Sequence, residues 1–298
     1  MRNNLTIWLV IFLFNGIASF THIAGKEAVM NLSPWVVGFF RFVLGVIAVW
    51  VLMKIKGKTI TLEPGDQWRF FTLAVLAVPI NQLSFLVGLR LTPASHPAIL
   101  YATTSVWVLL FAFWMGIERL RWWKWAGVGL SIVGVLVLMG GELVSFHKET
   151  AVGDIILLVA VLSWALYTTL GKPLVERYGA LETTFIVMIF GALMYFPFGL
   201  VAVFTTDISG VGMSAWFGVI YMGLITSGVA YYLWYWLLKR IRPSQVAVIT
   251  CAQPPTAALF AWMIFGDKPE GNLILSGIII MAGIFLMVAY GGPKRGVQ

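Results

Sequence analysis

Arg41 is the one charge that the sequence sets well inside an apolar stretch, about seven residues from its start. At 1.5 Å per residue that is roughly 10 Å of helix. An arginine at the centre of a span costs roughly 2.5 to 3.5 kcal/mol on insertion scales, so something must offset it. One offset is the carboxylate of a ligand. The other is snorkelling, or hydrogen bonding to neighbouring helix carbonyls. Lys26, at the end of another apolar stretch, is a second cation available for a carboxylate.

Polar residues recur at helical spacing elsewhere. Asn15, Ser19, His22 and Lys26 follow i, i+4, i+7, i+11, a single stripe that should face protein or water rather than lipid. Trp164, Thr168 and Lys172, with Tyr167 beside them, repeat it later in the chain. His96, Thr103 and Trp107 share a face flanked by Tyr101 and Thr104. A histidine titrates near neutral pH and could take up and release protons; the alternative for His96 and His22 is a neutral, hydrogen-bonded ring. Ser227, Tyr231 and Tyr235 lie four residues apart with Tyr232 adjacent. Mid-span aromatics can sandwich apolar or cationic groups, so Tyr231 and Tyr232 are candidates. Trp122, Trp123 and Trp125 read as an interfacial belt.

Gln253-Pro254-Pro255 falls about eleven residues into an apolar helix, where each proline removes a donor and clashes with an earlier carbonyl. The helix should kink or unwind there. Freed carbonyls are tolerated at membrane depth only against protein or a wet cavity, so Gln253 points to a binding site. Pro79 with Asn81 and Gln82 is a weaker version of the same signal.

These residues need elements to hold them, and composition says which. Of 298 residues, 60% are hydrophobic and 11% charged, far from the roughly 25% charged of soluble domains; mean hydropathy is +0.92. A water-soluble fold is excluded, and the lipid bilayer is the expected surrounding. Apolar runs long enough to cross a membrane cover residues 5–25, 34–53, 68–89, 93–115, 122–141, 152–171, 183–204, 213–238, 243–265 and 273–290. Pro34, Pro93 and Pro243 stand at helix starts. Residues 1–25 read as a first span rather than a cleaved leader, because Asn15, Ser19 and His22 interrupt the apolar core. The net charge of +8 sits in loops, so it reports topology and not a nucleic-acid partner. One cysteine, Cys251, and three histidines predict no disulfide framework, metal site or cofactor.

With the N-terminus in the cytoplasm, fifteen of the twenty basic residues fall on that side and only Lys26, Arg90, Lys148 and Lys268 outside. Both termini are therefore expected in the cytoplasm. The second five spans echo the first: Lys26 and Gly45 match Lys172 and Gly191 at an offset of 146, while Arg90, Pro93 and Gly116 match Arg240, Pro243 and Gly266 at 150. Five is odd, so the halves enter the membrane in opposite directions, with a substrate site expected between them near the midplane. The expected fold is an all-α integral membrane protein of ten transmembrane helices, two inverted five-helix repeats at 1–142 and 152–292, and a short basic tail at 293–298. Gly127, Gly134, Gly277 and Gly283 should allow close helix packing, with dimerisation a minority reading, so a monomer or weak dimer is expected.

The chain resembles the drug/metabolite transporter superfamily, in its EamA-type ten-span branch. The likeness rests on Val37-Gly38-Phe39-Phe40-Arg41-Phe42, the Gly116-Ile117-Glu118-Arg119-Leu120 turn, Gly153-Asp154 with Ser163-Trp164-Ala165, Gln253-Pro254-Pro255, and Phe265-Gly266-Asp267. Ala18 stands where the family often has tryptophan, Thr104 where proline is common, and Val187 opposite Arg41. The resemblance implies a secondary-type carrier in the inner (plasma) membrane, exporting or exchanging small metabolites by alternating access, with amino acids and related compounds as the expected cargo. A multidrug cation exporter would bury a carboxylate mid-span, and none is evident. A phosphate-ester or sugar exchanger would call for several converging cations. A membrane enzyme would need an acidic cluster, histidine boxes or an activated nucleophile, so no enzymatic activity is expected.

Overall fold

The computed structural model describes residues 2–92, 95–119, 121–139, 151–265 and 273–289. Every regular element among them is helical. We label them α1 (Arg2–Asn31), α2 (Pro34–Ile55), α3 (Gln67–Leu91), α4 (Ser95–Ala102 and Thr104–Trp114), α5 (Trp122–Met139), α6 (Ala151–Tyr178), α7 (Ala180–Thr205), α8 (Met213–Arg240), α9 (Pro243–Ala247, Val248–Ala252 and Gln253–Phe265) and α10 (Leu273–Ala289). Seven helices are long and apolar enough to cross a membrane, by length and composition; Trp122–Val137 and Leu275–Met287 are shorter apolar helices. Pro34 opens α2, with the Ser33 hydroxyl accepting from Trp35 N at 3.3 Å, and Pro243 opens α9. Pro93, Lys148, Gly266, Asp267, Lys268 and the tail at 293–298 lie outside the described residues.

Helix and apolar run do not coincide at every end. α1 continues to Asn31 and α6 to Tyr178, past the expected 25 and 171. The reason is visible in two lysines that the repeat relates. Lys26 Nζ donates to the carbonyls of Leu89, at 2.9 Å, and Thr92, at 2.8 Å, at the end of α3. Lys172 Nζ donates to the carbonyls of Leu238 and Ile241 at the end of α8. Each cation sits on unsatisfied carbonyls at a helix C-terminus, where the peptide dipoles favour positive charge. Lys26 is thus engaged by backbone, which removes it as the second cation for a ligand carboxylate.

Four helices depart from α geometry. In α9 the backbone tightens to a 3₁₀ turn over Val248–Ala252, directly before Gln253-Pro254-Pro255, as the two missing donors require. Around Pro79, α3 widens to a π turn over Leu76–Ile80. α8 does the same over Tyr221–Ala230 with no proline in it. The run at 93–115 reads as continuous in the sequence, yet α4 breaks at Thr103. There Thr103 N and Oγ1 both donate to Leu100 O, at 3.0 and 2.6 Å, a tighter i to i−3 turn. Thr103 and Gln253 are 150 residues apart, the same offset that relates Pro93 to Pro243.

α5 and α10 pack face to face beside this pair. A Cβ on Gly134 would stand 2.6 Å from Ile280 Cγ1 and 3.0 Å from Ile280 N; one on Gly127 would meet Met287 Cγ at 2.5 Å. Gly283 faces Ser131 and the Gly127 carbonyl. These three glycines act within the chain, whereas Gly277 has open space around it. Gly134→Leu should therefore destabilise the detergent-solubilised protein by about 1 to 3 kcal/mol, the cost of overpacking, while Gly277→Ala stays within about 0.5 kcal/mol of wild type. Chemical or thermal unfolding of the two variants checks the contrast, and equal stability would sink the close α5–α10 seam.

Candidate functional site

A cavity of about 70 Å³ lies among α1, α2, α3, α4, α6, α8 and α9. Its walls are mixed. Phe14, Phe85 and Trp164 supply apolar faces; His22, Arg41, Asn81, Gln82, Tyr101, Tyr231 and Gln253 supply polar atoms. Space of this size holds several waters or part of a small organic molecule.

Arg41 is 1% exposed. Its Nε donates to Ser227 Oγ at 2.9 Å, and Nη1 lies 3.9 Å from the Met222 sulfur. Among the described residues it forms no ion pair with a carboxylate. Around it the amides and phenols are chained: Asn81 Nδ2 donates to Tyr101 OH at 2.9 Å and to Ala160 O at 2.6 Å. Gln82 Nε2 donates to Tyr231 OH at 2.7 Å and also to Asn81 Oδ1. His22 Nε2 and Gln253 Oε1 are 3.2 Å apart. A carbonyl oxygen only accepts, so Nε2 is the donor in this contact, which makes Nδ1 an acceptor whenever the ring is neutral. His22 Nδ1 and Gln82 Oε1 are both buried without a partner. The cavity therefore offers one unneutralised cation and two unused acceptors.

On one side the cavity ends in a cluster of tilted, packed rings. Tyr167, Trp234 and Tyr235 are fully buried. Ring centroids are 5.0 Å apart for Tyr167 and Tyr235, 5.3 Å for Trp164 and Trp234, and 5.0 Å for Phe14 and Trp234. Beyond this floor, at the ends of α6 and α7, Arg177 pairs with Glu63 and with Asp66 at 2.6 Å, and Tyr178 OH donates to Asp66 at 2.7 Å. Lys58 and Glu182 add a pair at 3.1 Å. These contacts tie the loop between α2 and α3 to the second half of the chain.

Comparison with known proteins decides the family. A model of the EamA-like transporter family matches residues 5–140 and again residues 151–289. The chain belongs to the EamA-like transporter family. It is 28% identical to an uncharacterized transporter of Archaeoglobus fulgidus over 97% of this chain and 98% of that protein. It is 26% identical to a probable terminal-alkyne amino-acid exporter of Streptantibioticus cattleyicolor, over 65% of this chain and 64% of that one. A crystal structure of another protein superposes with a TM-score of 0.78 at 19% identity, covering 96% of this chain and 97% of that chain. That likeness shows a shared fold. Membership of the family, together with the apolar helices, makes this EamA-like transporter a multi-pass membrane protein.

In this EamA-like transporter the cavity gathers seven of the residues singled out in the sequence: His22, Arg41, Gln82, Tyr101, Trp164, Tyr231 and Gln253. Five others are placed elsewhere. Asn15 donates to Thr256 Oγ1 at 2.7 Å and Ala252 O at 3.3 Å, and Ser19 donates to Gln253 O at 3.3 Å, so both serve the broken backbone of α9. Thr103 forms the α4 break, Tyr167 lies in the aromatic floor, and His96 Nδ1 is 2.8 Å from Asp154 Oδ1. The wall also includes Phe14, Ala18, Thr21, Asn81, Phe85, Thr226 and Ala230, outside the expected set. Phe14, Ala18 and Thr21 form a helical face one step around from Asn15 and Ser19. On α1, Asn15 and Ser19 mark the packed seam, and Phe14, Ala18, Thr21 and His22 face the cavity.

His96 and Asp154 are largely buried and lie outside the cavity lining. His96→Gln, which keeps a hydrogen-bonding side chain outside the cavity lining, should leave transport within roughly threefold of wild type, the scale of one net hydrogen bond. Transport assays at matched membrane levels check this, and a loss as large as that of a cavity variant would bring His96 back as a transport residue.

Proposed function

We propose that this EamA-like transporter moves small metabolites bearing a carboxylate and a hydrogen-bond donor, amino acids and their relatives above all, by alternating access. The observation that carries the reading is Arg41, buried in the cavity with no carboxylate partner among the described residues. A buried cation without a counter-charge is strongly destabilising unless an anion joins it, so the cavity favours a ligand that brings one. Unused acceptors at His22 Nδ1 and Gln82 Oε1 suit an ammonium group, and the faces of Trp164 and Tyr231 suit it as well. Such a set matches a zwitterion. The exporter from Streptantibioticus cattleyicolor supports the same cargo class through its name. A multidrug cation carrier fits less well, because no carboxylate lines the cavity among the described residues.

The two matches of the family model support reading 1–142 and 152–292 as two repeats; the odd span count and the bias of basic residues support inverted halves, ten spans in the plasma membrane and both termini in the cytoplasm. In that frame the ion pairs around Asp66 and the aromatic floor close the cytoplasmic side of the cavity. Transport requires α6 and α8 to part at Tyr167 and Tyr235. His22, hydrogen-bonded to Gln253 on the cavity wall, is the group through which a proton gradient would act.

Proteoliposomes loaded with a mixed metabolite panel, read by mass spectrometry with and without a pH gradient, test this function. Selective loss of amino acids is expected. Arg41→Ala should reduce that flux at least roughly 30-fold, the effect of leaving one buried charge partner unmatched. Arg41→Lys should retain part of it, and amines lacking the carboxylate should be poor substrates. Wild-type flux in both Arg41→Ala and Gln253→Ala, at normal membrane levels, would sink the site.

A further inference from the structure

At the basic-rich end of the bundle a second recess, of about 400 Å³, is framed by the turn after α4, the last turns of α6 and the start of α9. Arg119, Arg121, Arg242, Lys172, Glu118 and Glu176 line it. Its acids are already engaged. Glu118 Oε1 accepts from Ser244 N at 2.9 Å, and Oε2 accepts from Ser244 Oγ at 2.6 Å and from the fully buried Lys124. Glu176 lies 3.3 Å from Lys172, which also holds the carbonyls at the end of α8. Arg119, Arg121 and Arg242 remain, and none of them forms an ion pair among the described residues.

The height of this recess in the membrane follows from its neighbours. Trp122, next to Arg121, is 75% exposed, and Trp114, at the end of α4, is 69% exposed. Exposed indoles at helix ends mark the boundary between hydrocarbon and headgroups. Three guanidiniums line the recess near that level, each with donors in the fork geometry that fits phosphate. We propose that the recess binds the phosphate of an anionic phospholipid in the adjacent leaflet, with Arg119, Arg121 and Arg242 as its ligands. A lipid, rather than a soluble phosphate compound, is favoured because the arginines adjoin indoles exposed at the bilayer surface.

Native mass spectrometry of the full chain in detergent, with added phosphatidylglycerol or phosphatidylcholine, tests it. The wild type should retain phosphatidylglycerol in preference. Each of Arg119→Gln, Arg121→Gln and Arg242→Gln should lower that preference roughly fivefold, the contribution of one arginine at a lipid surface. Arg69→Gln, at the same end but bonded to Asp66, should keep it. An unchanged preference in the triple variant would overturn the proposal, and so would an equal loss in Arg69→Gln, which would mean diffuse surface charge. Displacement of the lipid by millimolar glycerol 3-phosphate would overturn the lipid assignment in favour of a soluble phosphate compound. Arg119 and Arg121 are exposed, so their single variants carry the test if the triple variant does not fold.

Discussion

No water reaches the hydrocarbon core to satisfy a loose peptide group, so every break in a buried helix has to be answered by protein. In this chain the answer is reciprocal. α4 breaks at Thr103 and α9 at Gln253, and the breaks cross, with Thr250 Oγ1 donating to Tyr101 O at 2.9 Å and Cys251 Sγ lying 3.3 Å from Ala102 O. Ser105 Oγ reaches Ala102 O at 3.1 Å, and Asn15 and Ser19 come from α1 to Ala252 O and Gln253 O. Small polar side chains at the crossing thus replace the hydrogen bonds that regular helices would have made. The cavity lies beside that crossing, where Tyr101 and Gln253 turn into it from the two broken helices.

Positions related by the 146 offset make parallel contacts, and one departure from that pattern lies at the cavity. Lys26 and Lys172 close the carbonyl ends of α3 and α8 in the same way. Gly45 lets α2 approach Ser227 on α8, and its counterpart Gly191 lets α7 approach Val78 on α3. Val187, however, stands opposite Arg41, so the second half has no matching cation. A symmetric pair of arginines would have doubled the buried charge and repelled itself. One arginine leaves a polarised cavity, cationic on the α2 side and accepting at His22 and Gln82.

Much of this was legible in the sequence, for identifiable reasons. Ten apolar runs, the 146 and 150 offsets and the Gln253-Pro254-Pro255 break depend on composition and on the missing donors of proline, which act locally. Arg41, Gln82 and Gln253 were legible because a polar group within an apolar run has few tolerable surroundings. Asn15 and Ser19 obey the same rule but satisfy it through backbone carbonyls of α9, and a stripe on one helix does not distinguish the two outcomes. The α4 break was hidden because Thr103 and Thr104 can continue a helix. It follows from the crossing with α9, which is a tertiary fact.

α8 shows why the rest of the site escaped a reading at helical spacing. Arg41 touches both Met222 and Ser227, five residues apart. In an α-helix of 3.6 residues per turn such a pair diverges around the axis, whereas a π turn closes its hydrogen bonds from i to i+5 and brings the pair toward one face. The π stretch from Tyr221 to Ala230 therefore lets one arginine be held by two successive turns of α8, with Tyr231 placed directly after it to meet Gln82. Four-residue spacing sets Ser227, Tyr231 and Tyr235 on one helical face without separating them. The widened turn separates them, setting Ser227 against Arg41, Tyr231 in the cavity wall and Tyr235 in the floor beneath it.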